Sequence, residues 1–363
     1  MTQPVKKWNF KPHPLVRNGH LQSIVGIHWP TGAPPYQAKQ HFVALDDGDQ
    51  IVLHEDAEDS LNDESPIVLL VHGLGGCHLS TYMSRMADKL SQRGYRVFRM
   101  DMRGCGAGES VARMPAHCGL TNDFAAAIHF LAELYPDADV SLIGFSMSGA
   151  VALNMLAEAG EMRIGNLQRS MAINSPIDLA NVERYFNSFW GSKYNRFFVR
   201  LIWRQLLRRW ERFPEIALQP IPKRPKRLRD IDEMVVAPAG GYASAADYYE
   251  QASPATKLQS IKQPVTIVFA EDDPIVPIGP LLELPRSSSV EVITSKQGGH
   301  LGFVASRNED PDCRWLDWRI IDWLEEGRNS EDPHTGETEQ KVEVYSARIP
   351  REARISLETQ TQN

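Results

Sequence analysis

Four stretches of the chain carry side chains that could together attack and release an acyl group. In I-G-F-S-M-S-G-A, residues 143–150, Ser146 stands between a strand ending at Gly144 and a helix beginning by Ser148. A serine on so tight a strand-to-helix turn presents its hydroxyl for attack, and the turn needs small residues two places before and two after, because backbone passes close on both sides. Gly144 meets the first requirement, while Ser148, followed by Gly149, stands where the strict G-x-S-x-G string has glycine. Alone, the string also reads as an ordinary turn with a serine helix cap.

A hydroxyl nucleophile needs a base, an acid to orient the base, and donors for the oxyanion. V-H-G-L-G-G, residues 71–76, follows a buried-type strand, and its glycines let a backbone N–H face a substrate oxygen. The candidate donors are the N–H of Leu74 and the N–H of Met147, the residue after the serine. I-V-F-A-E-D-D-P-I-V-P, residues 267–277, offers Glu271, Asp272 and Asp273 at the end of a late strand. Asp273 is preferred, because apolar I-V-P follows it; all three could also be solvated turn carboxylates. In G-G-H-L-G-F, residues 298–303, His300 is the only one of eleven histidines in both the right chain position and a glycine-flanked turn. The order 72, 146, 273, 300 is oxyanion loop, serine, acid, histidine, which fits an α/β-hydrolase and neither the chymotrypsin nor the subtilisin arrangement. The chemistry this predicts is serine hydrolysis: His300 takes the Ser146 proton, Asp273 orients the ring, and an acyl-enzyme is released to water. It calls for no metal and no organic cofactor.

The elements that must position these residues follow from hydrophobic patterning. Residues 41–56 read as two strands around D-D-G-D, a hairpin turn. Strands are then predicted at 67–71, 95–101, 139–144, 169–174, 264–270 and 290–294. Helices are predicted at 79–94, closed by Gly94, at 121–134, capped by Thr121 with Asp123 in the first turn, at 148–159 and at 313–325. Short apolar strands alternating with helices argue a mostly parallel sheet with helices on both faces. About ninety residues separate the strands at 169–174 and 264–270, far beyond an ordinary connection, and they carry their own helical pattern, so they form an inserted module. The predicted division is an N-terminal extension packed on the core (1–40), a catalytic domain (41–180 and 255–327), a helical cap (181–254) and a polar, disordered tail (328–363).

Composition sets the limits. The chain has 363 residues, 42% hydrophobic and 23% charged, with 39 basic against 46 acidic residues and a net charge of −7. That balance removes the broad electrostatic motive for nucleic-acid binding. Four scattered cysteines without a C-x-x-C pair fit neither a disulfide framework nor thiolate zinc. No secretory signal and no apolar run of membrane-spanning length is visible, so the expected home is the cytoplasm. His13, His20, His28 and Trp8 near the start fit no metal-ligand spacing.

With these motifs in hand, the chain resembles the YheT-like (AB hydrolase 4) branch of the α/β-hydrolase superfamily. The resemblance rests on N-G-H-L-Q-S-I (18–24), L-D-D-G-D (45–49), H-G-L-G-G (72–76), R-G-C-G-A-G (103–108), A-H-C-G (116–119) with Asp123, G-F-S-M-S-G, A-E-D-D-P and G-G-H-L-G-F. It spans roughly residues 10–325, and its most branch-specific piece is His20 to Gln22. It departs at Ser148, where members usually have glycine, and in an extra glycine-rich turn after R-G-C. The resemblance implies hydrolysis of short- to medium-chain carboxylic esters or acylglycerol-like lipids, with residues 181–254 as a cap. Some relatives pass the acyl group to an alcohol, which leaves an alcohol acyltransferase as the alternative. A non-catalytic binding protein on the same fold is a third reading, opposed by the intact Ser146, Asp273 and His300. Arg103, Cys105 and His117 match the branch without an assigned role.

The inserted segment carries a second pattern. Arg196, Arg200, Arg204, Arg208 and Arg212 recur every four residues beside Phe197, Phe198, Leu201, Ile202, Leu206 and Trp210. This could be a cap helix that touches an anionic membrane surface, helped by K-R-P-K-R-L-R at 223–229, or a solvated arginine face over a packed cap.

Overall fold

Five consecutive aliphatic residues, Ile67–Val71, can be buried on both faces only inside a parallel sheet covered on both sides. In the computed structural model, which describes residues 4–29, 35–57, 60–306, 310–329 and 344–345, all five are buried there. The strands are β1 (Lys6–Lys7), β2 (Lys39–Ala44), β3 (Gln50–Asp56), β4 (Ile67–Val71), β5 (Arg96–Asp101), β6 (Val140–Phe145), β7 (Leu167–Ile173), β8 (Val265–Ala270) and β9 (Val290–Ser295). They form one sheet in the order β1-β9-β8-β7-β6-β4-β5-β3-β2. Only β3 breaks the parallel run, pairing antiparallel with β2 and with β5.

Helices α1 (Gly19–His28), α2 (Thr81–Ser91), α3 (Thr121–Leu134) and α4 (Met147–Ala159) and the last helix, Trp315–Asn329, accompany the sheet. One apolar cluster joins α3 and α4 to the sheet through Phe124, Ile128, Leu153 and Leu156. A second joins α2 and the last helix through Met83, Met86, Trp315 and Ile320. The α/β-hydrolase architecture expected from strand–helix alternation is the one observed. Thr121 departs from expectation, because it is the first helical residue and not the cap. Leu120 holds the cap position without a side-chain bond, and the Thr121 hydroxyl donates to Glu158 on α4 at 2.7 Å. The hydroxyl thus serves as a donor to a neighbouring helix and not as the acceptor of a capping N–H.

Between β7 and β8 the chain passes through α5 (Leu179–Phe186), α6 (Gly191–Arg212), helical turns at 228–239 interrupted by a π-turn at Asp232–Val236, and a helix at Ala245–Ala252. On α6 the arginines at 196, 200, 204, 208 and 212 are exposed, while Phe198, Val199, Trp203, Leu206 and Trp210 are buried. Phe197 departs from the apolar stripe and faces solvent. The disorder predicted for 328–363 falls almost wholly outside the described residues; within it, Val344 bridges Arg163 and the Tyr345 N–H donates to the Arg163 carbonyl. No helix among the described residues is long and apolar enough to cross a membrane.

Candidate active site

Parallel strands place their carboxyl ends along one edge, and that edge collects the predicted residues. Ser146 follows β6 directly and adopts φ 56°, ψ −120°, a backbone conformation that costs a non-glycine residue about 1–3 kcal/mol. The fold holds it there by a 2.8 Å bond from the Ser146 N–H to the Ile173 carbonyl and by close packing of the turn. A Cβ on Gly144 would lie 2.7 Å from the Gly149 Cα. Ser148, where glycine is usual, is fully buried, and its hydroxyl reaches the carbonyls of Val71 and Phe145 at 2.6 and 2.9 Å. It ties the ends of β4 and β6 together behind the turn.

His300 Nε2 lies 3.0 Å from Ser146 Oγ, and its Nδ1 lies 2.8 Å from Asp273 Oδ2. Of the three carboxylates after β8, Asp273 is thus the one that meets the ring. Its other oxygen, Oδ1, accepts the N–H groups of Ile275 and Val276 at 2.8 and 3.0 Å. Asp272 faces elsewhere and accepts the Gly299 N–H at 2.8 Å; Glu271 accepts from the Thr294 hydroxyl. Asn174, which no motif announced, donates from Nδ2 to Asp273 Oδ2 at 2.5 Å and, over a longer 3.3 Å, to the Gly299 carbonyl. It is fully buried at φ 49° just past β7, between β8 and the histidine turn.

The loop after β4 brings Leu74 to the cleft that Ser146 and Met147 also line. The Leu74 and Met147 N–H groups have no protein acceptor among the described residues. His72 shapes this loop: its Nδ1–H donates to the Gly73 carbonyl at 2.8 Å, and its Nε2 accepts the Met102 N–H at 3.2 Å. Burial pushes its pKa down, which favours the neutral ring that these two bonds require.

The role of the H-L-Q-S element becomes visible only in three dimensions. Gln22 donates to the carbonyls of Val16 and Val304 and accepts the Val304 N–H at 2.6 Å. The Ser23 hydroxyl accepts the His300 N–H at 2.8 Å and donates to the Gly19 carbonyl at 2.7 Å. Cβ atoms on Gly19 would overlap the Asp272 carbonyl, and on Gly26 would crowd Gly302. Helix α1 is therefore a bracket pressed onto the histidine turn. Ser23→Ala leaves the His300 N–H without its partner and is expected to lower kcat about tenfold with KM held. An unchanged kcat in a folded variant would remove Ser23 from the positioning of His300.

The cleft encloses about 1180 Å³ of empty space, part of it open solvent. Its walls are mainly apolar, with Val182, Phe186, Phe198, Ile202 and Leu206 from α5 and α6 facing Ser146 and Ile275. Asp232, in the π-turn, also lines it and accepts the Tyr249 hydroxyl at 2.6 Å. Burial pushes the Asp232 carboxyl up to about 7. An unfolded aspartate loses its proton near pH 4, so the folded protein binds the extra proton between about 4 and 7, and stability drops as pH rises through that window. Asp232→Asn is expected to abolish that slope, worth about 3 kcal/mol between pH 5 and 7. Parallel melting curves of the two proteins at pH 5 and 8 check it; identical pH dependence would contradict the assignment.

Two further networks support this edge. Asp101, at the end of β5, accepts from His54 Nε2 at 3.0 Å, from His78 Nδ1 and backbone N–H at 2.7 and 2.6 Å, and from the Ala107 N–H at 2.7 Å. Burial alone would raise its pKa, but the hydrogen bonds from both imidazoles outweigh it and hold the carboxyl well below the usual range. The three residues are close enough to suggest a metal. However, the rings stack 3.6 Å apart at 14°, so their lone pairs lie in near-parallel planes and do not converge, and His54 Nδ1 is engaged by Tyr36 at 2.6 Å. The donor set fits a hydrogen-bonded cluster better than a metal site. Arg103 forms the second network, gripping Asp123 bidentately at 2.7 Å and reaching Asp47 and Asp49 in the hairpin turn. Asp123 is thus an ion-pair partner more than a helix-dipole anion. His117 is pushed down to about 4 by burial and by Arg103, and burial pushes Cys105 up to about 12. Neither offers a charged group at neutral pH.

Residues 66–305 match the family described by the alpha/beta hydrolase fold, and the chain belongs to that family. Within it, the protein is an esterase/lipase-type hydrolase, and the resemblance to YheT read from the motifs holds. It is 27% identical over 285 residues to the Escherichia coli protein YheT, named an esterase, covering 77% of this chain and 82% of the relative. It is 29% identical over 286 residues to phospholipase ABHD3 of Mus musculus, covering 76% and 68%. The esterase Pf2001 of Pyrococcus furiosus superposes with a TM-score of 0.51 at 17% identity, over 80% of this chain and 93% of that one, a likeness of fold.

Proposed function

We propose that the protein hydrolyses carboxylic esters of short- to medium-chain acyl groups, acylglycerol-like esters among them, through Ser146, His300 and Asp273. The observation that carries this reading is the hydrogen-bonded line from Ser146 Oγ through His300 to Asp273, opening on an apolar cleft. Ser146 attacks the carbonyl as His300 takes its proton, and Asp273 stabilises the imidazolium. The Leu74 and Met147 N–H groups hold the oxyanion, each worth about 3–4 kcal/mol in the transition state. His300 returns the proton to the leaving alcohol, then activates the water that frees the acid. The inserted helices over residues 181–254 act as the cap whose apolar wall receives the acyl chain.

The test is a p-nitrophenyl ester chain-length series beside fluorophosphonate labelling. Turnover and labelling of the wild type support ester hydrolysis, and their joint absence would overturn it. Added alcohol that diverts product from acid to ester would reassign the acceptor and make the protein an acyltransferase. Exposed Phe189, Trp190 and Phe197 beside Lys193 and the arginines of α6 support contact between this cap and an anionic bilayer. Flotation with anionic but not neutral vesicles is expected; equal recovery with both would sink the membrane contact.

A further inference from the structure

A buried cation without an acid beside it forms part of the cleft wall. Arg209, on the inward face of α6, is 5% exposed and lines the cleft with Ser146 and Met147. Its Nε and Nη1 have no acceptor among the described residues, and Nη2 makes only a long 3.3 Å bond to the Gly104 carbonyl. Gly104 makes the space, since a Cβ there would overlap the guanidinium.

Among the described residues, the acids near Arg209 are engaged by other groups. Glu109 pairs with Arg208, the preceding residue, and Asp49 accepts from Arg103 and Arg113. Among the other charged groups of the cleft wall, Arg227 pairs with Asp230, Arg229 lies 4.0 Å from Glu183, and Asp232 bonds Tyr249. The Cys105 thiol, which also lines the cleft, stays neutral because burial pushes it up to about 12. Withdrawing a guanidinium from water without a counter-charge costs several kcal/mol. On a cleft wall shared with Leu206, Phe198 and Ile202, an arriving anion is held far more strongly than at the surface. The planar fork of N–H groups matches the oxygens of a carboxylate or a phosphate.

We propose that Arg209 is an anion-recognition residue of the cleft, and that the preferred ester carries a negatively charged phosphate or carboxylate held on this guanidinium while Ser146 attacks the carbonyl. This deepens the ester-hydrolase reading and rests on it. No additional chemical step is involved; the ion pair positions the ester.

Two matched substrate pairs test it and separate the two sources of charge. The p-nitrophenyl monoester of glutarate against p-nitrophenyl pentanoate places a carboxylate on the acyl side. Butyryl glycerophosphate against monobutyrylglycerol places a phosphate on the alcohol side. In at least one pair the wild type is expected to prefer the anionic member by about tenfold or more in kcat/KM. Arg209→Met should collapse that ratio through KM, and Arg209→Lys should keep part of it. A purely structural role would lower both members together and leave the ratio unchanged, which would overturn the proposal, as would a flat ratio in both wild-type pairs. A second measurement needs no variant: glycerophosphate or glutarate, but not glycerol, should slow fluorophosphonate labelling of the wild type, and no slowing by either anion counts against Arg209. Absence of Ser146-dependent turnover of the neutral esters would instead overturn ester hydrolysis itself.

Discussion

Ser146→Ala is expected to abolish ester turnover, lowering kcat by about 10⁴- to 10⁶-fold, and to remove fluorophosphonate labelling with it. The size follows from the geometry, because among the described residues the Ser146 hydroxyl is the one bonded to His300 Nε2, and the proposed acyl-enzyme forms on it. The fold should survive. Alanine pays about the same backbone cost at φ 56° as serine, and the Ser146 N–H bond to Ile173 does not use the side chain. Equal melting temperatures together with lost turnover would support the assignment. Labelling or turnover that persists in the folded variant would remove Ser146 from the chemistry.

The second large effect separates neighbouring carboxylates. Asp273→Asn is expected to lower kcat by about 10⁴-fold, and Asp272→Asn by less than about tenfold. Asp273 acts only as an acceptor, receiving His300 Nδ1–H and Asn174 Nδ2 on one oxygen and the Ile275 and Val276 N–H groups on the other. An amide must turn its NH2 toward one of these donor pairs. If it faces His300, the ring is driven to the wrong tautomer; if it faces the backbone, two buried N–H groups lose their acceptor. Asp272 needs one acceptor, for Gly299, and asparagine supplies it. Steady-state rates at pH 8 decide the matter. Equal losses in the two variants, or a larger loss at Asp272, would move the acid away from Asp273.

Much of this candidate site is legible in the sequence alone, and the reason is local. The serine turn, the acid turn and the histidine turn each declare themselves within a few residues, since tight turns restrict which side chains fit. Their chain order then supplies the fold. Other groups depend on meetings that no local window contains. Asn174 looks like the end of a strand, yet its side chain bridges partners 99 and 125 positions away. His54 and His78 sit in unremarkable segments; the pairing of β3 with β5 brings His54 to Asp101, and His78 reaches the same carboxylate from the loop after β4. Arg209 breaks the four-residue spacing of the exposed arginines on α6, and that offset turns it inward. Thr121 carries a local signal for a cap, yet the helix begins one residue earlier than that role requires, and its hydroxyl donates across to Glu158 on α4.

The bracket formed by α1 has a temporal consequence. During synthesis the segment around Ser23 emerges early, yet its partner His300 lies 277 positions later. Strand β1 likewise finds its register only on β9, pairing Lys6 with Ile293. Contacts of such long sequence separation form slowly, because a large loop must close before they contribute. The histidine turn is thus clamped only after nearly the whole sheet exists. A ribosome-bound chain would display its serine turn long before it could use it, and esterase activity should rise abruptly with the docking of the N-terminal helix, after the bulk of the secondary structure has formed.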